Sequence, residues 1–112
     1  MGKDRMISLV DAWIKASVEH KTLRIHYFSA RTKRGFTVRE VEPDFVGMSR
    51  NCRVSGLWAY CRLRRSNRVF KPDSVLKWEY VGNAFKPNPR GRWRELIPFY
   101  NDRKLNEKDW CN

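Results

Sequence analysis

Cysteine is scarce in this chain, and long apolar runs are missing from it. The three cysteines, Cys52, Cys61 and Cys111, are an odd number without CxxC spacing, so neither a disulfide framework nor a structural zinc site is expected. This usage favours a reducing, cytoplasmic setting. No apolar stretch approaches the ~20 residues of a membrane span, and the opening MGKDRMISLV lacks the apolar core of a secretory signal.

Acidic residues are scarce as well. The chain has 12 Asp plus Glu against 24 Lys plus Arg, which gives a formal charge of +12. Such a charge makes a polyanion the expected partner, with nucleic acid ahead of an anionic membrane or an acidic protein. Between Phe45 and Pro72 there is no acid to neutralise the basic residues of that segment, which are Arg50, Arg53, Arg62, Arg64, Arg65, Arg68 and Lys71.

Motifs for catalysis are also missing. The acids are too scattered for a metal-dependent nuclease, and the chain has no GxSxG, P-loop or HExxH motif. His26 is the strand histidine that a general-base mechanism would use, but the sequence places no orienting acid beside it. We therefore expect a binding protein rather than an enzyme, with no metal and no cofactor.

The length and apolar content of the chain are sufficient for one folded domain. The chain has 112 residues, of which 41% are apolar and 13% aromatic, so a single core is expected and a disordered basic tail is not. Residues 4–20 have the periodicity of an amphipathic helix, with Asp4 as the predicted N-cap. Its apolar stripe consists of Met6, Leu9, Val10, Trp13, Ile14 and Val18.

The rest of the chain predicts short strands and then an extension. We expect strands at 23–28, from 36 to about 42, at 52–63, at 68–70 and at 75–81. The second of these is expected to stop at Pro43-Asp44, with its resumption at Phe45 and Val46 left open. Turns are expected at 29–35 and 64–67. One helix followed by such strands indicates an α+β fold with a small, strongly bent antiparallel sheet or open barrel. Residues 1–85 would form this domain, and 86–112 an irregular C-terminal extension packed on it, because residues 92–100 are apolar and Leu105 and Trp110 give the tail something to dock.

The third predicted strand carries the candidate binding face. Because side chains alternate along a strand, Leu57, Ala59, Cys61 and Leu63 are expected in the core. The opposite face then carries a possible platform for a single nucleic-acid strand, on which rings stack on bases and guanidinium groups contact phosphates. Its members are Trp58, Tyr60, Arg62 and Arg64. Two other interpretations stay open, in which the helix or the tail covers Trp58 and Tyr60, or the arginines form only a solvated face.

These residues also resemble a known family. A strand ending in Tyr27, the triplet Val41-Glu42-Pro43 and the stretch YCRLRRSNRVFKPDSV at 60–75 resemble the WYL domain over about residues 8–85. The resemblance implies an Sm-like, SH3-type barrel with a basic ligand-binding face. WYL domains occur in transcriptional regulators and in CRISPR-associated and phage-defence proteins. The residues that carry over are Tyr27, Tyr60, Arg64, Arg68 and Phe70. The chain departs from the family at Ser55-Gly56-Leu57, where the Trp-Tyr-Leu triplet would fall, and at Ser74, where the family has arginine.

The sequence thus predicts non-catalytic binding of single-stranded nucleic acid, with RNA slightly ahead of DNA. Phosphates would contact Arg62, Arg64, Arg68 and Lys71, and bases would stack on Trp58, Tyr60 and Tyr27, with Arg39 adding to the basic field. The alternatives are an accessory protein, phage- or CRISPR-related, that binds an acidic partner, and a sensor of a nucleotide ligand. A larger effector or regulatory protein and a second copy of the chain stay open as further partners.

Overall fold

The chain forms one helix, five strands and a short second helix. The computed structural model describes residues 2–29, 35–50 and 53–102, with side chains at 8–29, 35–50 and 53–101. The predictions made for residues 30–34, Cys52 and the tail 103–112, which includes Leu105, Trp110 and Cys111, lie outside this part. The elements are α1 (Gly2–Glu19), β1 (Lys21–Phe28), β2 (Phe36–Met48), β3 (Val54–Cys61), β4 (Ser66–Phe70), β5 (Val75–Ala84) and α2 (Ile97–Asp102), with 3₁₀ turns at Pro72–Ser74 and Trp93–Leu96.

The five strands form one antiparallel sheet in the order β4-β3-β2-β1-β5. In a flat sheet β4 and β1, with two strands between them, would be about 14 Å apart. The rings of Tyr27 on β1 and Phe70 on β4 nevertheless lie 5.1 Å apart between centroids. The sheet is therefore strongly bent, and the predicted α+β class is confirmed.

Helix α1 packs its apolar stripe against the concave side of this sheet. Trp13 is fully buried, meets Phe70 edge to face at 6.3 Å, and donates its indole N–H to the carbonyl of Trp58 at 3.0 Å. This bond satisfies the one polar atom of the largest core side chain. The helix begins at Gly2, so Asp4 lies inside its first turn rather than at the predicted N-cap.

Two strand ends differ from the prediction. Strand β2 does not stop at Pro43-Asp44 but continues to Met48, because the pairing with β3 shifts register between Pro43 and Phe45. Such an irregularity accommodates a residue that has no N–H to donate. Strand β3 ends at Cys61, and residues 62–65 form the turn. Leu63 is therefore 56% exposed, so its predicted place in the core is wrong.

The segment after β5 packs back on α1. Leu96 is buried, and Phe99 and Tyr100 pack against the core. The Tyr100 hydroxyl donates to the Glu19 carboxylate at 2.6 Å, and the Tyr80 hydroxyl donates to the same carboxylate at 3.0 Å. These contacts connect the last residue of α1 to β5 and to α2. Within the described ranges, no helix is both long and apolar enough to cross a membrane.

Candidate functional site

The bent sheet leaves a cavity where the end of β1 approaches the end of β4. Its volume is about 440 Å³. Among the described residues, four cationic side chains and no carboxylate line it, so we name it the cationic cavity. Its lining residues are Tyr27, Phe28, Ser29, Arg39, Arg64, Arg68, Val69, Phe70, Lys71 and Ser74.

Strand register brings residues from distant parts of the chain to this cavity. Arg39 pairs with Ile25 across β2 and β1, and Arg68 pairs with Ala59 across β4 and β3. Both partners are buried, so the two arginines extend the core-facing rows of their strands. The Tyr27 hydroxyl accepts a hydrogen bond from the backbone N–H of Lys71 at 3.3 Å. This bond ties the end of β1 to the residue that follows β4.

Arg39 is the least exposed of the four cations. Only 4% of its surface is accessible, and its guanidinium group lies 5.5 Å from the Tyr27 ring centroid and 5.8 Å from that of Phe70. Its Nε donates to the Thr37 hydroxyl at 2.9 Å. No described carboxylate pairs with Arg39, although a buried charge is costly without a counter-charge. The two ring contacts offset part of that cost.

Five of the eight predicted site residues meet in this cavity, namely Tyr27, Arg39, Arg64, Arg68 and Lys71. Trp58 and Tyr60 lie in a second cavity. The single platform predicted for β3 is therefore wrong in one respect, because Arg64 follows the end of the strand and lies in the turn. Arg65, the last residue of that turn, adopts a left-handed backbone with φ 54°.

Arg62, the eighth predicted residue, forms ion pairs with two carboxylates. Its Nε donates to Glu42 at 2.9 Å and its Nη1 donates to Glu40 at 3.1 Å. The expectation that this acid-free stretch has no internal ion partners is wrong at Arg62, because β2 lies beside β3 and supplies both acids. Glu40 also accepts from the Asn83 side chain at 2.8 Å. Hydrogen bonds from Asn83 and Thr22, and then the charge of Arg62, lower the pKa of Glu40 below its ordinary 4.5.

The second cavity lies between the convex face of the sheet and the segment that follows β5. Its volume is about 470 Å³. The predicted aromatic pair is here, partly buried. Trp58 meets Phe45 edge to face at 5.9 Å, and its ring covers Gly47 and Gly56 so closely that a side chain on Gly47 would overlap it. We name residues 85–92, which form the outer wall, the strap.

The strap is held at both ends. The backbone N–H of Phe85 donates to the carbonyl of His20 at 3.1 Å, and that of Arg92 donates to both oxygens of Asp44 at 3.2 Å. The Arg92 guanidinium group lies 3.8 Å from the centroid of Phe45. Gly91 is needed beside Asp44, because a side chain there would overlap the carboxylate. The strap is thus a fixed wall of the second cavity.

His26 does have an acid near it. Its Nε2 lies 3.4 Å from Glu79 on the neighbouring strand β5, and Arg24 and Lys77 contact the same carboxylate. These groups, with His26 first, lower the pKa of Glu79. The cluster is on the convex surface, outside both cavities. In the described part of the chain, no group of three or more His, Cys, Asp or Glu residues is arranged to hold a metal ion.

Sequence reasoning missed several lining residues of the two cavities. Phe28 and Val69, both about half exposed, line the cationic cavity, and Asn67 lines the second one. Neighbours in the sequence could have indicated Phe28 and Val69, since they adjoin Tyr27 and Arg68. Asn67 was assigned to a turn, and only the true start of β4 at Ser66 places it on a strand.

The fold and the cationic cavity define a small, strongly bent α+β domain with a basic concave site. No family model matches the chain, and no curated protein matches it. Among solved structures, the chain is similar to the proteasome accessory factor B/C (PafBC) of Arthrobacter aurescens, with 25% sequence identity and a TM-score of 0.64. The likeness covers 87% of this chain and 14% of that one. It supports a WYL-like fold.

Proposed function

We propose that the chain binds single-stranded nucleic acid without catalysing a reaction on it, and that phosphates occupy the cationic cavity. The observation that carries the proposal is Arg39. An arginine that is only 4% exposed as a residue and has no carboxylate partner among the described residues is suited to an anion from outside the protein. The cysteine usage favours a cytoplasmic setting for this function.

The other cations of the cavity support the same ligand. Arg64, Arg68 and Lys71 form no ion pair with any described residue, so their charges are available. Guanidinium groups bind phosphate oxygens in pairs, and a single strand can bend into a concave site that a stiff duplex cannot enter. A flexible, multiply charged strand is therefore the polyanion that this cavity fits best. The resemblance to WYL domains adds a regulatory role to the proposal.

A nucleotide ligand is the second candidate. A cavity of about 440 Å³ is within the range of small-molecule sites, and Tyr27 and Phe28 supply ring surface beside the cations. A nucleotide and a strand present the same phosphate chemistry. They differ in length dependence, because only a strand gains affinity as further residues are added.

The test is the salt dependence of binding to a single-stranded 12-mer, followed by fluorescence anisotropy. If the four cations neutralise four phosphates, the plot of log K against log salt should slope by roughly −3, at ~0.7 per phosphate. Arg68→Gln should weaken binding to every sequence and reduce this slope by ~0.7. A flat salt dependence contradicts the proposal for every polyanion.

Arg62→Gln is the matched control, because Arg62 is already neutralised by Glu40 and Glu42. It should leave the salt slope unchanged. Equal losses from Arg62→Gln and Arg68→Gln would indicate a diffuse electrostatic effect and contradict a phosphate site in the cavity. A mononucleotide that binds as tightly as the 12-mer would favour the nucleotide sensor. If no strand of any length binds and one acidic protein does, the accessory-protein interpretation gains.

A further inference from the structure

The second cavity contains polar groups that the fold leaves unused. Tyr60 on β3 pairs directly with Asn67 on β4, so the two side chains leave the convex face as neighbours about 5 Å apart at Cβ. Both line the cavity. Neither the Tyr60 hydroxyl nor the Asn67 amide has a hydrogen-bond partner among the described residues. An aromatic ring therefore stands beside an amide with free donors and a free acceptor.

Both acids of the same cavity already have partners within the fold, although only Glu42 is paired with a cation. Glu42 accepts from Arg62, and both oxygens of Asp44 accept from the backbone N–H of Arg92. The strap adds Lys86 and Arg90, whose side chains have no ion partner in the described part of the chain. Because these two cations outnumber the one carboxylate without a cationic partner, Asp44, a cationic guest would be repelled, whereas a flat neutral ring that carries an anionic group would meet complementary groups.

We propose that this second cavity is a nucleobase-binding site, in which the base stacks on Tyr60 and its polar edge is read by the Asn67 amide. A side-chain amide can pair two atoms of a base edge at once, and an aromatic ring stacks on any base. Lys86 and Arg90 would contact the phosphate attached to that base. This inference rests on the proposed function in one point: the base is taken to belong to the strand whose phosphates occupy the cationic cavity.

Strand β4 connects the two cavities. Asn67 lines the second cavity and Arg68 lines the cationic cavity, and consecutive Cα atoms are ~3.8 Å apart. Side chains of consecutive strand residues project to opposite faces, and β4 is at the edge of the sheet. A single strand that passes around this edge can therefore contact both cavities.

The first experiment measures the affinity of homopolymer 12-mers for variants of the full chain at fixed salt. Tyr60→Ala should weaken binding roughly 5- to 150-fold with the salt slope unchanged, and Tyr60→Phe should retain most of the affinity. Asn67→Ala should reduce the difference in affinity between the homopolymers. Phe36→Ala is the control and should change nothing, because Phe36 is an exposed residue that lines neither cavity. Thermal melting of each variant identifies any loss caused by unfolding.

The second experiment separates this inference from the proposed function. Adenosine, guanosine, cytidine and uridine have no phosphate, so the cationic cavity should not bind them. Titration of ¹⁵N-labelled protein with at least one of them should shift the side-chain amide signals of Asn67 and leave those of Asn83 unmoved. The inference is overturned if no nucleoside at millimolar concentration moves the Asn67 signals, or if a stably folded Tyr60→Ala variant binds every homopolymer as the unaltered chain does. Loss of binding in Arg68→Gln together with either result would leave the proposed function standing.

Discussion

At the scale of one residue, replacing Arg39 can show whether this side chain serves ligand binding or the stability of the fold. A side chain that only stabilises the fold lowers stability when it is replaced. A buried charge without a counter-charge behaves differently, because an apolar side chain of similar length avoids the cost of desolvating it. A methionine at position 39 would keep part of the ring contacts with Tyr27 and Phe70, because its thioether also packs favourably against aromatic rings.

We therefore expect Arg39→Met to retain or raise the melting temperature while strand binding falls at least tenfold. Thermal unfolding and anisotropy on the same sample test both halves of this prediction. A variant that binds normally, or one that unfolds far earlier than the unaltered chain, would show that Arg39 serves the core instead.

The sequence predicted many of the residues that line the cationic cavity, but not the ion pairs of Arg62 nor the position of Arg64. Five of the predicted residues line this cavity: the resemblance indicates Tyr27, Arg64 and Arg68, and the local excess of positive charge indicates Arg39 and Lys71. The pairing of Arg62 was missed because Glu40 and Glu42 lie 22 and 20 positions away, and only the register of β2 against β3 brings them together. Arg64 was assigned to the wrong surface because its position depends on where β3 ends.

At the scale of secondary-structure elements, the pairing of β2 with β3 explains why position 47 requires glycine. Gly47 pairs with Gly56, and the Trp58 ring fills the space above Gly47, whereas Val69 and the edge of that ring lie above Gly56. The number and type of the strands were predictable from alternating apolar residues. This arrangement was not, because it depends on a register shift at Pro43 that no local pattern indicates. The shift continues β2 and so places Phe45 and Gly47 on the face of Trp58.

Gly47→Ala should force the Trp58 ring from its place and lower the free energy of unfolding by about 1–3 kcal/mol. Urea denaturation gives this value, and near-ultraviolet circular dichroism reports the displaced indole. In a Trp58→Ala background the same substitution should cost much less, because the overlap no longer exists. An equal cost in both backgrounds would mean that the ring does not determine the need for glycine.

At the scale of the whole molecule, Glu40 connects three strands. It lies on β2, pairs with Arg62 beyond the end of β3, and accepts a hydrogen bond from Asn83 on β5. Its lowered pKa means that the folded state holds the carboxylate form more strongly than the unfolded chain does. This contribution to stability is present above the ordinary pKa of 4.5 and is lost as the pH falls toward the lowered value.

Glu40→Gln should therefore reduce stability at pH 6 to 7 and make little difference once Glu40 is protonated in the unaltered chain. Urea midpoints at pH 7 and pH 3 for both proteins give the comparison. Asp73→Asn is the control, because Asp73 is exposed and forms no ion pair with a described residue. A stability difference that stays constant down to pH 3 would show that shape rather than charge at residue 40 matters.

If Arg39 binds an anion as proposed, its burial couples the folding of the chain to the binding of that anion. An anion that binds the folded chain and not the unfolded one stabilises it in proportion to the logarithm of its concentration, by ~2.7 kcal/mol at one hundred times its dissociation constant. Under the same proposal, phosphate or sulfate in the buffer should raise the melting temperature of the chain. The lifetime of the folded protein in a cell would then depend on the supply of the proposed polyanion.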